Sequence, residues 1–90
     1  MPVLTLDYIQ DPSHGWLSVS RATARNIMGD DYSQISGYSY ALNGRLYLEE
    51  DCDAPLFMSL AMGNGYHVIL REVHLSHPAP LLNYPSFTPA

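Results

Sequence analysis

At 90 residues and a formal charge of −5, the chain has room for one modest core and no basic run. Direct nucleic-acid binding draws on clustered Lys and Arg, so the composition argues against it. Hydrophobic residues are 47% of the chain and charged residues only 14%, so much of the surface must be uncharged, and seven tyrosines give it the amphipathic character that interfaces favour. A homo-oligomer is therefore expected.

From the start, Val3 to Ile9 alternates as a strand with Leu4, Leu6 and Tyr8 on one face. Gln10 to Gly15 reads as a loop with an Asp-Pro turn, and Trp16 to Val19 as a second strand closing a hairpin. Ser20 stands at an N-cap position for a short helix over Arg21 to Met28, with Ala24, Ile27 and Met28 inward and Gly29 as its stop. Asp30 to Gln34 is a polar connection.

Ile35 to Leu48 carries the strongest local signal in the chain. Asn43-Gly44 between two apolar-patterned runs predicts a tight hairpin, because a type I′ turn needs positive φ at both central residues. Tyr38 and Tyr40 are expected on one face of its first strand, Leu46 and Leu48 on one face of its second. A second helix begins at the acidic corner Glu49-Glu50-Asp51-Cys52-Asp53, capped by Asp51 or Asp53, with Pro55 in its first turn. Leu56, Phe57, Leu60 and Ala61 form its inward stripe, and Gly63-Asn64-Gly65 ends it. Tyr66 to Val73 is a final strand rich in β-branched residues.

Beyond His74 come Pro78, Pro80, Pro85 and Pro89, so this tail is extended. It also carries Leu81, Leu82, Tyr84 and Phe87, which suits a segment lying across its own domain or a neighbouring subunit. The predicted fold class is α+β: a single antiparallel sheet of about five strands in the order ββαββαβ, with two short helices on one face. One domain spans 1–77, and the Pro-rich tail spans 78–90.

The words DPSHGWLSV, ISGYSY and YLEEDCDAPLF resemble a group of small phage- and prophage-encoded proteins, over most of the chain up to the end of the second helix. The resemblance implies an accessory protein acting in a bacterial host cytoplasm. It implies no activity and no site residues.

The sites rest on chemistry alone. His14, Trp16, Tyr38 and Tyr40, with Arg45 and Arg71, make a candidate ligand site, in which rings stack on a base and a guanidinium pairs with phosphate. The same tyrosines serve equally as a subunit interface, and His14 and Trp16 as a turn and a core anchor. Glu49, Glu50, Asp51 and Asp53 are a candidate partner-binding knob, or simply a strand end and a helix start where carboxylates favour the dipole. Their spacing is not that of a calcium-binding loop, and His67, His74 and His77 have no metal-motif partner, so neither metal nor cofactor is assigned. Cys52, flanked by carboxylates that oppose a thiolate, is expected to be a packed thiol, and no serine lies in a nucleophile motif.

A non-catalytic binding protein is the leading expectation, one that interferes with a host defence system by docking on a host protein through acidic and tyrosine surfaces. An oligomeric sponge for a nucleotide-like signalling molecule is the alternative, and a metal-assisted hydrolase a distant third. No membrane-length apolar run occurs, and a cytoplasmic protein is expected.

Overall fold

The computed structural model describes residues 2–89. Its five strands form one sheet: β1 (Val3–Gln10), β2 (Gly15–Ser20), β3 (Tyr40–Leu42), β4 (Arg45–Glu49) and β5 (His67–His74), in the spatial order β3-β4-β2-β1-β5. Helices α1 (Arg21–Met28) and α2 (Asp53–Gly63) complete the predicted α+β order. The sheet is mixed rather than wholly antiparallel: β5 runs parallel to β1, with Leu4 beside Val68 and Leu6 beside Leu70. The reason is connection length. Helix α2 carries the chain from β4 back along the sheet, and such a crossover delivers a parallel strand where a tight turn cannot.

Alternation divides the sheet into two faces. Leu6, Leu17, Val19, Leu46 and Leu48 point to one side and meet Ala24, Ile27 and Met28 of α1 and Ala54, Phe57 and Ala61 of α2 in the main core. Both helices thus cover the same face, held by packing since neither is long. Ser20 caps α1 as predicted, its hydroxyl accepting from the Thr23 N–H at 3.1 Å. Asn43 (φ 52°) and Gly44 (φ 78°) make the expected turn, and the Gly44 carbonyl also accepts from the Arg21 N–H at 2.9 Å, tying the hairpin to the start of α1.

Several local expectations give way. Gly29–Gln34 is a 3₁₀ turn that buries Tyr32, with Arg21 donating to its hydroxyl at 2.8 Å and Arg25 lying 5.0 Å from its ring centre. Tyr38 lies outside β3 in the preceding turn, so it shares no strand face with Tyr40. Helix α2 has Cys52 at its N-cap, without a side-chain cap bond; neither Asp51 nor Asp53 caps it. Cys52 itself is exposed, not packed, because this position faces out of the corner.

The second sheet face is covered in part by the chain's own C-terminal segment. Ala79 and Leu81 are buried against Trp16, with Ile9, Tyr40, Tyr47 and Tyr84 around them. The segment then rounds the β3 edge, where Ala41 N–H donates to Pro85 O (2.9 Å), Ser86 bridges Tyr40, and Phe87 N–H donates to Ser39 O (2.8 Å). Phe87 ends in the main core on the helix side, edge-on to Tyr32. No helix among the described residues is long and apolar enough to cross a membrane.

Candidate functional site

The β1–β2 turn is built by Asp11. One carboxylate oxygen accepts from the Ser13 and His14 N–H groups (2.9 and 2.6 Å), and the other from the Ala79 N–H of the C-terminal segment (2.9 Å). These donors, Ala79 first, hold the Asp11 carboxyl below the usual range. The turn sets the His14 ring beside Trp16, with centres 5.5 Å apart and planes tilted by 31°.

Opposite it, the Ser36 to Ser39 turn is held by Asp53, which is 1% exposed. Its carboxylate accepts from Ser36 N–H (3.0 Å), Ser36 hydroxyl (2.6 Å) and Ser39 hydroxyl (2.5 Å). Ser39 hydroxyl in turn accepts from the Glu49 N–H at 3.0 Å. One buried group therefore fixes the turn that carries Tyr38 and the strand end that carries Glu49.

Between these turns lies an open cleft of about 340 Å³, lined by His14, Trp16, Tyr38, Tyr40, Glu49 and Leu82. Register explains the gathering: Trp16 pairs with Glu49 across β2–β4, and Tyr40 with Tyr47 across β3–β4. Tyr47 is capped by Tyr84, 5.4 Å away; burial first, then this neighbour, pushes its phenol above the usual range. Trp16 is nearly all buried, whereas Tyr38 is 76% exposed and forms a free wall.

Four of the six ligand residues read from the sequence thus meet in one cleft, and two do not. Arg45 sits at the far end of β4, donating to the Ser18 hydroxyl at 2.9 Å. Arg71 lies on β5, three strands from β4, paired with Asp7 at 2.8 Å. Both stand on the same sheet face as Trp16 and Glu49; strand order and position along the strand, not alternation, put them elsewhere.

The acidic corner also divides. Asp53 is buried and spoken for, so it is a structural group, not a partner contact. Glu49 turns into the cleft and accepts the Asp51 N–H at 2.9 Å. Glu50 accepts from the Tyr8 hydroxyl at 2.8 Å, and burial followed by this bond pushes the Tyr8 phenol up to about 12. Asp51 alone is fully outward.

Leu82 is the lining residue that sequence reasoning missed. It arrives only because the tail folds back in a 3₁₀ turn, Pro80–Asn83. His74 and His77 border a second depression at the root of the tail, and no three His, Cys, Asp or Glu side chains among the described residues converge as a metal set would. Chemically, the cleft offers aromatic faces and one carboxylate, with no Arg or Lys in its lining. No family model, curated protein or solved structure matches the chain.

Proposed function

We propose that this protein is a small non-catalytic binding protein that docks on a partner protein by taking one of the partner's cationic side chains into the cleft. The observation that carries this reading is the pairing of two aromatic walls, exposed Tyr38 and half-buried Tyr40, over a buried Trp16 floor, with Glu49 as the lone carboxylate. An arginine or lysine over such rings gains about 0.5–2 kcal/mol, and the Glu49 carboxylate adds a direct ion pair of about 0.2–1 kcal/mol. Asp51, exposed and tied to Glu49 through its N–H, adds a second carboxylate close by. A phosphate would meet Glu49 and no guanidinium, which weighs against the nucleotide sponge. The phage-like words in the sequence support a host protein as the partner, with host interference as the outcome.

The test uses an uncharged-ended Gly-Arg-Gly peptide titrated into the ¹⁵N-labelled protein. Shift changes centred on His14, Trp16, Tyr38 and Tyr40, saturating on the order of 1 mM or weaker, are expected for one cation. Glu49→Gln should weaken binding about two- to fivefold, and Tyr38→Ala should weaken it further. Binding of adenosine monophosphate at the cleft without binding of the arginine peptide would overturn the reading.

A further inference from the structure

We propose that β5 is a dimer edge: two copies pair antiparallel along their β5 strands, about a two-fold axis at Arg71, into one ten-stranded sheet. This rests on β5 and is independent of the cleft.

The two edges of the sheet are treated differently. At β3, the Pro85–Phe87 segment supplies hydrogen bonds and a bridge, so that edge is capped from within the chain. At the other end β5 has β1 as its one strand neighbour among the described residues. Protected edges are short, bulged, covered, or marked by Pro or unpaired charged side chains, Lys above all. By contrast β5 is eight residues long, pairs with β1 one-to-one without a bulge and contains no Pro, and its charged side chains Arg71 and Glu72 have Asp7 and His74 beside them within the sheet. Its apolar side chains are open: Ile69 is 43% exposed, Leu70 41% and Val73 37%.

Hydrogen bonding fixes which backbone groups are free. His67 N–H donates to Pro2 O and Leu75 N–H to Gln10 O, so the odd-numbered residues turn their amides to β1. By alternation, the N–H and C=O of Val68, Leu70, Glu72 and His74 point outward. A two-fold axis normal to the sheet keeps each side chain on its own face, so it pairs only positions of like parity. With the axis at Arg71, Leu70 faces Glu72 of the second copy and Val68 faces its His74. Every outward group is then paired, and Ile69 packs on Val73 twice. Moving the axis to Leu70 or Glu72 leaves His74 or Val68 outside the paired segment.

Charge points to a second copy as the occupant. A chain of −5 repels itself at its acidic corner, but that corner lies three strands from β5. At the edge, Glu72 has His74 3.5 Å away, and the two Arg71 groups that face each other at the axis are each neutralised by an Asp7 at 2.8 Å.

Light scattering across micromolar to millimolar concentrations should give twice the 10.0 kDa chain mass. Leu70→Pro removes only an outward amide, which an edge strand tolerates, so it should keep the far-ultraviolet spectrum and weaken the dimer at least about tenfold. Independently, Arg71→Cys in a Cys52→Ser background should cross-link on mild oxidation. Residues opposed in a non-hydrogen-bonded pair lie about 4.5 Å apart at Cα, within disulfide reach. A monomer at every concentration, a Leu70→Pro dimer of unchanged affinity, or a dimer without the Arg71→Cys cross-link would each overturn the proposal.

Discussion

Asp53→Ala tests whether the acidic corner is held together from inside. The carboxylate is 1% exposed and receives three donors, from Ser36 twice and Ser39 once, at 2.5 to 3.0 Å. Hydrogen bonds to a charged group contribute about 1.5–3 kcal/mol each, so the low end for three is about 4.5 kcal/mol. Against this, the variant no longer buries a carboxylate, and two of the donors are hydroxyls that can turn elsewhere. A net loss of about 3 kcal/mol is the working figure. A domain of this size has roughly 5–13 kcal/mol in total, so the loss is a large share of its stability. At about 4–8 °C per kcal/mol, Tm should fall by about 12–24 °C. Urea unfolding followed by Trp16 fluorescence measures it, with Asp51→Ala, an exposed neighbour, expected within about 0.5 kcal/mol of the parent. If Asp53→Ala loses less than about 1 kcal/mol, or Asp51→Ala loses as much as Asp53→Ala, the claim that Asp53 organises the site fails.

The Tyr8 phenol, raised to about 12 by burial and then by Glu50, should ionise late with alkali; its contribution is whole below the unfolded value near 10 and disappears as pH rises through 12. Absorbance at the phenolate band should show this late step, and Tyr8→Phe should remove it. Gly15→Ala would set a Cβ 2.6 Å from the Tyr8 oxygen and 2.9 Å from a Glu50 oxygen, so it should break that bond, bring the late step earlier, and destabilise by about 1–3 kcal/mol. Asp11, held below its usual range, stabilises above the ordinary carboxyl value near 3.9 and loses that contribution as pH falls through its lowered value. Acid should therefore free the Ala79 amide, seen as faster hydrogen exchange in the tail, and Asp11→Asn should reproduce this at neutral pH.

How much of this was legible depended on range. The Ser20 cap, the Asn43-Gly44 turn, the stripe of α2 and the run of β5 follow from residues within a few positions of one another, and each element is present. The parallel pairing of β5 was hidden, because an apolar strand reads alike whichever way its neighbour runs. Asp53 was misread because Asp51 and Asp53 look equivalent in sequence, and only the Ser36 and Ser39 donors, 17 and 14 residues away, distinguish them. The aromatic members of the cleft were found by residue type. Arg45 and Arg71 were added on the same ground and fell elsewhere, since residue type carries no information about strand order. Leu82 had no local signal at all, for its position depends on the tail's return.

That return decides which surfaces are left for others. The tail buries Trp16 under Ala79 and Leu81, closes the β3 edge with Pro85 to Phe87, and lends Leu82 to the cleft wall. With β3 closed, β5 is the open edge among the described strands, the one the proposed dimer would use. A two-fold axis normal to the sheet then places both clefts on the same face. At about 4.8 Å per strand and seven spacings from one β4 to the other, they lie roughly 35 Å apart. A partner carrying cations at that spacing would engage both, and the second contact is intramolecular, multiplying apparent affinity by about 10²–10⁴. Leu70→Pro, which touches no cleft residue, should then leave the affinity for a single arginine peptide unchanged while stripping away this gain for a divalent one. The cleft alone sets the first quantity, and the distance between two clefts sets the second.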